Sequence, residues 1–134
     1  MSKYIMIRKR ILAALACSIV VSALSAQEVM TKQKDGTYIV NTTTLAQDVE
    51  GYNGPTPVEI HIKKNKIVKV VPLKTQDGAK YVAMVKKHML PSYEGVNVKK
   101  GTVPEVDGAT GATFTSDAIK ENIRRGVAYY LKNK

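Results

Sequence analysis

Between Pro57 and Pro91 the hydrophobic period of the chain switches from two residues to between three and four, and that switch limits the folds open to it. Val58-Glu59-Ile60-His61-Ile62 alternates apolar with polar, the pattern of a strand with one buried face. Lys63-Lys64-Asn65-Lys66 is a short polar connection, and Ile67-Val68-Lys69-Val70-Val71 follows as a second strand ending before Pro72. The spacing predicts a β-hairpin. Beyond Gly78, Tyr81, Val82, Val85, Met89 and Leu90 recur at helical spacing as far as Pro91, which disfavours helical geometry at the residue before it. Upstream, Asp35-Gly36 opens a β-branched and aromatic segment, Thr37 to Thr44, expected to pair beside the hairpin. Gly51, Asn53, Gly54, Pro55 and Pro57 form a turn region.

Ser92 to Val106 reads as loop with a short strand around Val96 to Val98. In the last segment Ser116 stands as a helix cap and Asp117 in the first turn. Ile119, Ile123, Val127, Tyr130 and Leu131 form an apolar stripe, with Lys120, Glu121, Arg124 and Lys132 facing water. Strands first and helices after predict an α+β fold, a small antiparallel sheet with a β-hairpin packed by two helices.

The folding unit is expected to span residues 27–134 only. Residues 1–26 have the layout of a secretory signal peptide: Lys3, Arg8, Lys9 and Arg10 without an acid, then a charge-free run from Ile11 to Ala26. Sixteen residues fall short of the ~20 that span a bilayer, which favours cleavage over anchoring. Ala23-Leu24-Ser25 and Leu24-Ser25-Ala26 both offer cleavage sites, and Ala16-Cys17 is a lesser, lipoprotein-like alternative. Each fate leaves the rest of the chain on the outer side of the cytoplasmic membrane, periplasmic or in the cell envelope.

Losing four basic residues and no acid lowers the net charge from +10 to +6, a moderately basic domain with scattered lysines and no nucleic-acid partner expected. Cys17 is the only cysteine, so residues 27–134 offer no disulfide, no thiolate-bound cluster and no haem attachment motif. His61 and His88 are too few for a metal site. Any redox cofactor would be organic.

Chemistry concentrates ahead of the last helix, in Asp107-Gly108-Ala109-Thr110-Gly111-Ala112-Thr113-Phe114-Thr115-Ser116. Small residues let another molecule approach the backbone, and hydroxyls with free amides at a helix N-terminus receive phosphate. The pattern is neither a P-loop, which needs a lysine, nor a dinucleotide fingerprint. On composition alone, a phosphate site at Thr110 to Ser116 and a flexible turn that merely caps the helix are equally open.

The stretch Asp107 to Ala118, DGATGATFTSDA, resembles the flavin-attachment motif of the FMN-binding domain family, which includes flavin-carrying subunits of the sodium-pumping NADH:quinone reductase and of the Rnf complex. The similarity extends from Asp35-Gly36-Thr37-Tyr38 through Gly51-Tyr52-Asn53-Gly54-Pro55 and the hairpin to Leu131. It implies that Thr113, the last residue of the Thr110-Gly111-Ala112-Thr113 core, carries FMN covalently through a phosphoester. The attachment loop then lies just before the C-terminal helix. Thr110 stands where serine is usual, which keeps the hydroxyl. The chain lacks the long insertions of the respiratory subunits, so the resemblance carries flavin attachment rather than membership of either complex.

The resemblance further implies a magnesium-dependent flavin transferase as maturation partner. Gly111 and Ala112 would let the loop enter its cleft, and Asp107 would help the transferase recognise the loop, or serve the turn. Thr115 and Ser116 would meet the phosphate or cap the helix. The implied role is electron transfer from a membrane donor to an extracytoplasmic acceptor, more a carrier than a stand-alone enzyme. A small flavin-dependent reductase and a non-redox flavin-binding module are the alternatives. Phe114, Tyr52, Tyr81, Tyr93, Tyr129 and Tyr130 are available to a flavin ring, although core packing is the first reading of each. Arg124 and Arg125 read as a solvated helix face before a phosphate clamp.

Overall fold

The computed structural model describes residues 29–134; the expected signal peptide lies outside the described residues. The fold is α+β, as the switch of period predicts. Strands β1 (Met30–Lys32), β2 (Tyr38–Asn41), β3 (Val58–Lys63) and β4 (Lys66–Pro72) form one antiparallel sheet in sequence order. Helix α1 (Ala79–His88), a 3-10 turn (Leu90–Tyr93) and helix α2 (Thr113–Asn133) follow.

The β3–β4 hairpin forms where the alternation places it, with Val58, Ile60 and Ile62 fully buried and Glu59, His61 and Lys63 on the other face. Its two-residue loop, Lys64-Asn65, has φ of 51° and 63°, the left-handed pair whose twist matches the strands. A bulge between His61 and Ile62 shifts the register, so that Ile62 pairs with Ile67 while Ile60 pairs with Val70.

Three elements depart from the sequence expectation. The strand expected over Thr37–Thr44 stops at Asn41, because Asn41 Oδ1 accepts the Thr43 N–H at 2.9 Å and turns the chain. The short strand β1, unread in the sequence, pairs Met30–Lys32 with Tyr38–Val40. By contrast, helix α1 ends at His88, ahead of Pro91 in a 3-10 turn, and the segment expected to be extended around Val96 to Val98 lines the start of β4: Ile67 N–H bonds Val96 C=O at 2.9 Å and Val98 N–H bonds Asn65 C=O at 2.8 Å. That contact covers part of an otherwise open edge. Finally, α2 starts at Thr113, three residues before the expected cap at Ser116, and Asp117 falls in its second turn.

Helix α2 lies across β2 and β3, its buried stripe of Ile119, Ile123, Val127 and Tyr130 facing Val40, Val58 and Ile60. A polar knot sits inside this interface. The Thr42 hydroxyl accepts the Val58 N–H at 2.9 Å and donates to Asn122 Oδ1 at 2.5 Å, while Asn122 Nδ2 donates to Ala118 C=O at 2.9 Å. All three side-chain polar groups are satisfied, so the knot fixes helix against strands and leaves no buried polar group unpaired. One turn further along, Gly126 permits the close approach: a β-carbon there would collide with Ile60 Cδ1 and sit 3.0 Å from Thr42 Cγ2.

Gly126→Ala should therefore destabilise the domain by ~1–3 kcal/mol through overpacking, against the ~1 kcal/mol that helix propensity alone would add. Chemical denaturation checks this. Adding Ile60→Val, which removes the opposing methyl, should leave the double variant more stable than the sum of the single losses; strict additivity would contradict the steric reading.

Candidate functional site

The hydroxyl-rich motif and the Gly51–Gly54 turn meet at the first turn of α2. A turn closed by the Ala112 N–H to Ala109 C=O bond at 3.0 Å delivers the chain to Thr113. Gly111 sits in that turn at φ 85°, and a β-carbon on it would approach Met84 Cε to 3.2 Å, so both conformation and space ask for glycine. The first intrahelical bond runs from Ser116 N–H to Ala112 C=O at 2.9 Å. Ahead of it stand the N–H groups of Thr113, Phe114 and Thr115, and no side chain caps them. Such an end of a 21-residue helix favours an anion through its free amides and its dipole.

The motif's hydroxyls divide into two sets. Thr110 and Thr113 are exposed, whereas Thr115 and Ser116 are buried. Ser116 Oγ accepts the Ala109 N–H at 3.0 Å, holding the loop against the helix, and a β-carbon on Gly108 would crowd Ser116 Cβ at 3.0 Å. The hydroxyl of Thr115 donates to Asp77 Oδ2 at 2.5 Å. Asp107 is exposed and lines neither of the hollows described below.

Asp77 is the residue that the sequence does not single out. Only 5% exposed, it accepts the N–H groups of Tyr52 at 3.0 Å and Asn53 at 2.6 Å as well as the Thr115 hydroxyl. Burial pushes its carboxyl up. The hydrogen bonds from Thr115, Asn53, Tyr52 and Gly54 outweigh burial and hold it below the ordinary carboxylate value. Gly51 completes the joint, because a β-carbon there would strike Asp77 Oδ2 and lie 2.8 Å from Thr56 Cγ2. Asp77 stands directly before Gly78 at the start of a helix, where an aspartate reads as an ordinary cap; nothing in the sequence ties it to partners 24 to 38 residues away.

The joint sets Tyr52 beside α2. Tyr52 is 60% exposed and Phe114 65% exposed, so neither is the core residue expected; Tyr93 and Tyr130 are buried as expected. Tyr52 lies 5.7 Å from Tyr81 and 6.2 Å from Phe114 between ring centroids. With Gly111, Ala112, Thr113 and Thr115 these rings line a cleft of about 230 Å³ that holds no charged side chain. Thr113 also lines a second, polar hollow with Gly108, Ala109, Thr110, Gly111, Ser116, Asp117 and Lys120. Lys120 Nζ is 3.3 Å from Glu105 Oε1.

Arg125 does not join the site. Its guanidinium bonds the Asp48 carboxylate at 2.6 and 3.0 Å and Leu45 C=O at 3.0 Å, which corrects the solvated-face reading for this arginine. Arg124 and Arg125 also bond Glu121, and Arg124 above all holds that carboxyl down to about 2. Among the described residues no group of three His, Cys, Asp or Glu side chains is placed to hold a metal ion.

Residues 51–128 match the family model described as the FMN-binding domain, a span that runs from the Gly51 turn through the hydroxyl-rich loop and most of α2. No curated protein and no solved structure matches the chain.

The ionised form of Asp77 is favoured by folding, so its contribution is fully present above its unfolded value of about 3.9 and is lost as pH falls through the lower folded value. Asp77→Asn keeps one acceptor oxygen but sets its NH2 against the N–H of either Asn53 or Tyr52, and should cost ~1–3 kcal/mol at neutral pH. Its deficit relative to wild type should shrink as urea denaturation is carried below pH 4. A deficit unchanged down to pH 2 would mean that the charge contributes nothing.

Proposed function

The chain belongs to the FMN-binding domain family, and on that premise we propose that it is an exported flavoprotein that carries FMN through a phosphoester on Thr113 and relays electrons outside the cytoplasmic membrane. One observation carries the reading. The exposed Thr113 residue stands at an uncapped helix N-terminus, with an aromatic cleft on one side and a hollow containing Lys120 on the other. The donor set suits the two ends of FMN. Tyr52, Tyr81 and Phe114 offer flat apolar surfaces to a ring, while the free N–H groups of the first turn and Lys120 suit a phosphate.

The openness of the ring's cleft supports a covalent link. Two of its three rings, Tyr52 and Phe114, are more exposed than buried. Such a surface holds a ring weakly, and a tether keeps it where free flavin is dilute. Attachment calls for a flavin transferase, since a threonine hydroxyl is a poor nucleophile unaided. Thr113 Oγ attacks the flavin-side phosphorus of FAD, the pyrophosphate bond breaks, AMP leaves with its electron pair, and the hydroxyl proton passes to the transferase. The exposure of Thr110, Gly111 and Thr113 suits a loop that must enter another protein's cleft.

Bound FMN supplies one- and two-electron transfer. The chain's part is to hold the ring at an open, uncharged surface within reach of a partner. A cleft without a charged group leaves little for acid–base work on a bound substrate, which favours a carrier over a reductase. The basic and apolar N-terminal sequence supports export, and with it a membrane electron donor and an extracytoplasmic acceptor.

Co-expression with a flavin transferase should add one FMN, less one water, to the intact mass of wild type and of Thr113→Ser, and nothing to Thr113→Val. An adduct on Thr113→Val would contradict the assignment. Tyr52→Leu with Phe114→Leu should keep the adduct and raise flavin fluorescence by freeing the ring from aromatic contact; unchanged emission would place the ring elsewhere.

A further inference from the structure

The lysines that look scattered in the sequence gather at one end of the molecule. The β1–β2 turn brings Lys32 and Lys34 there, since Lys32 pairs with Tyr38 and Tyr38 with Ile62 beside the hairpin tip. The tip itself adds Lys63, Lys64 and Lys66. Val98, bonded to Asn65 C=O at 2.8 Å, sets Lys99 and Lys100 next to it. The end of α2 brings Lys132 and Lys134: Asn65 Oδ1 accepts the Tyr130 hydroxyl at 2.8 Å and Lys134 Nζ at 2.7 Å.

This pole holds nine lysines against two acids, Asp35 and Glu94, with Asp35 3.7 Å from Lys63. All nine except the half-buried Lys63 are exposed. The rest of residues 29–134 has eight basic and eight acidic side chains. The whole charge excess of the described domain, seven positive side chains, therefore sits at one end. Thr113 is at the other end of α2, ~30 Å away at 1.5 Å per residue over 21 residues.

The geometry points to an anionic lipid surface as the partner of this pole, with the Thr113 end turned away from the bilayer. Three features favour lipid over a folded partner. Every basic group is a lysine, a hydrated point charge suited to a diffuse field rather than to the forked recognition that arginine gives. The lysines come from four separate segments and together form an end face of the domain. Only five residues lie between Ala26, the end of the charge-free run, and Lys32, so the lysine pole is the part of the domain nearest in sequence to the segment that meets the membrane. The inference does not rest on the flavin reading and is tested without flavin.

The test is flotation of the full chain with vesicles of phosphatidylglycerol mixed into phosphatidylcholine, and with phosphatidylcholine alone. An apolar N-terminal segment would bind both; the lysine pole distinguishes them. Each lysine near an anionic surface is worth about fivefold in partitioning, so Lys64→Gln with Lys99→Gln should weaken binding to the anionic vesicles about 25-fold. Lys74→Gln with Lys80→Gln, the same charge change at exposed sites outside the pole, should alter it less than about threefold. Binding should also fall as salt is raised. Equal losses for the two pairs, or equal binding to both vesicle types, would overturn the inference. So would capture by polyglutamate or duplex DNA with no affinity for the anionic vesicles, which would assign the pole to an acidic protein or a nucleic acid.

Discussion

A single buried carboxylate organises this domain's chemistry. Asp77 lies where strand β4 gives way to α1, and its two oxygens gather donors from the Gly51–Gly54 turn and from the first turn of α2. Without it, the N–H groups of Tyr52 and Asn53 would lose the acceptor that ties their turn to the core, and the buried hydroxyl of Thr115 would lose its partner. With it, Tyr52 is set beside Phe114 and Tyr81, and the aromatic cleft next to Thr113 exists. Gly51 is part of the same constraint, because any side chain there would push the carboxylate away.

The scaffold around that joint has two ends of different composition. Sheet and α2 run alongside each other, tied midway by the Thr42–Asn122 knot and the close contact at Gly126. One end gathers small residues, free amides and exposed rings; the other gathers lysines. The cleft at the first end is built on the rim of the domain, so the core between sheet and α2 is complete without it.

Much of this was legible in the sequence. The period of Val58–Ile62 and Ile67–Val71 places the hairpin, the apolar stripe from Ile119 to Tyr130 places the last helix, and the resemblance of Asp107–Ala118 points to the family whose model the chain matches. What was not legible depended on contacts between distant segments. Ser116 looks like a cap but spends its hydroxyl on Ala109, so the helix begins at Thr113. Tyr52 and Phe114 look like core residues and are exposed, because the Asp77 joint holds them at the rim. Arg125 looks solvated and instead grips Asp48, 77 residues away in the chain. No local pattern encodes such pairings.

The flavin's proposed attachment at Thr113 is tested most directly by sequencing the flavin-bearing peptide. Tryptic cleavage after Lys100 and Lys120 releases Gly101–Lys120, which contains Thr110, Thr113, Thr115 and Ser116 together. Fragment ions should put the entire flavin adduct, FMN less one water, on Thr113, the exposed hydroxyl at the uncapped helix end. Flavin on Thr110 or on any other residue, or a transferase-treated protein that yields no flavin-bearing peptide, would contradict it.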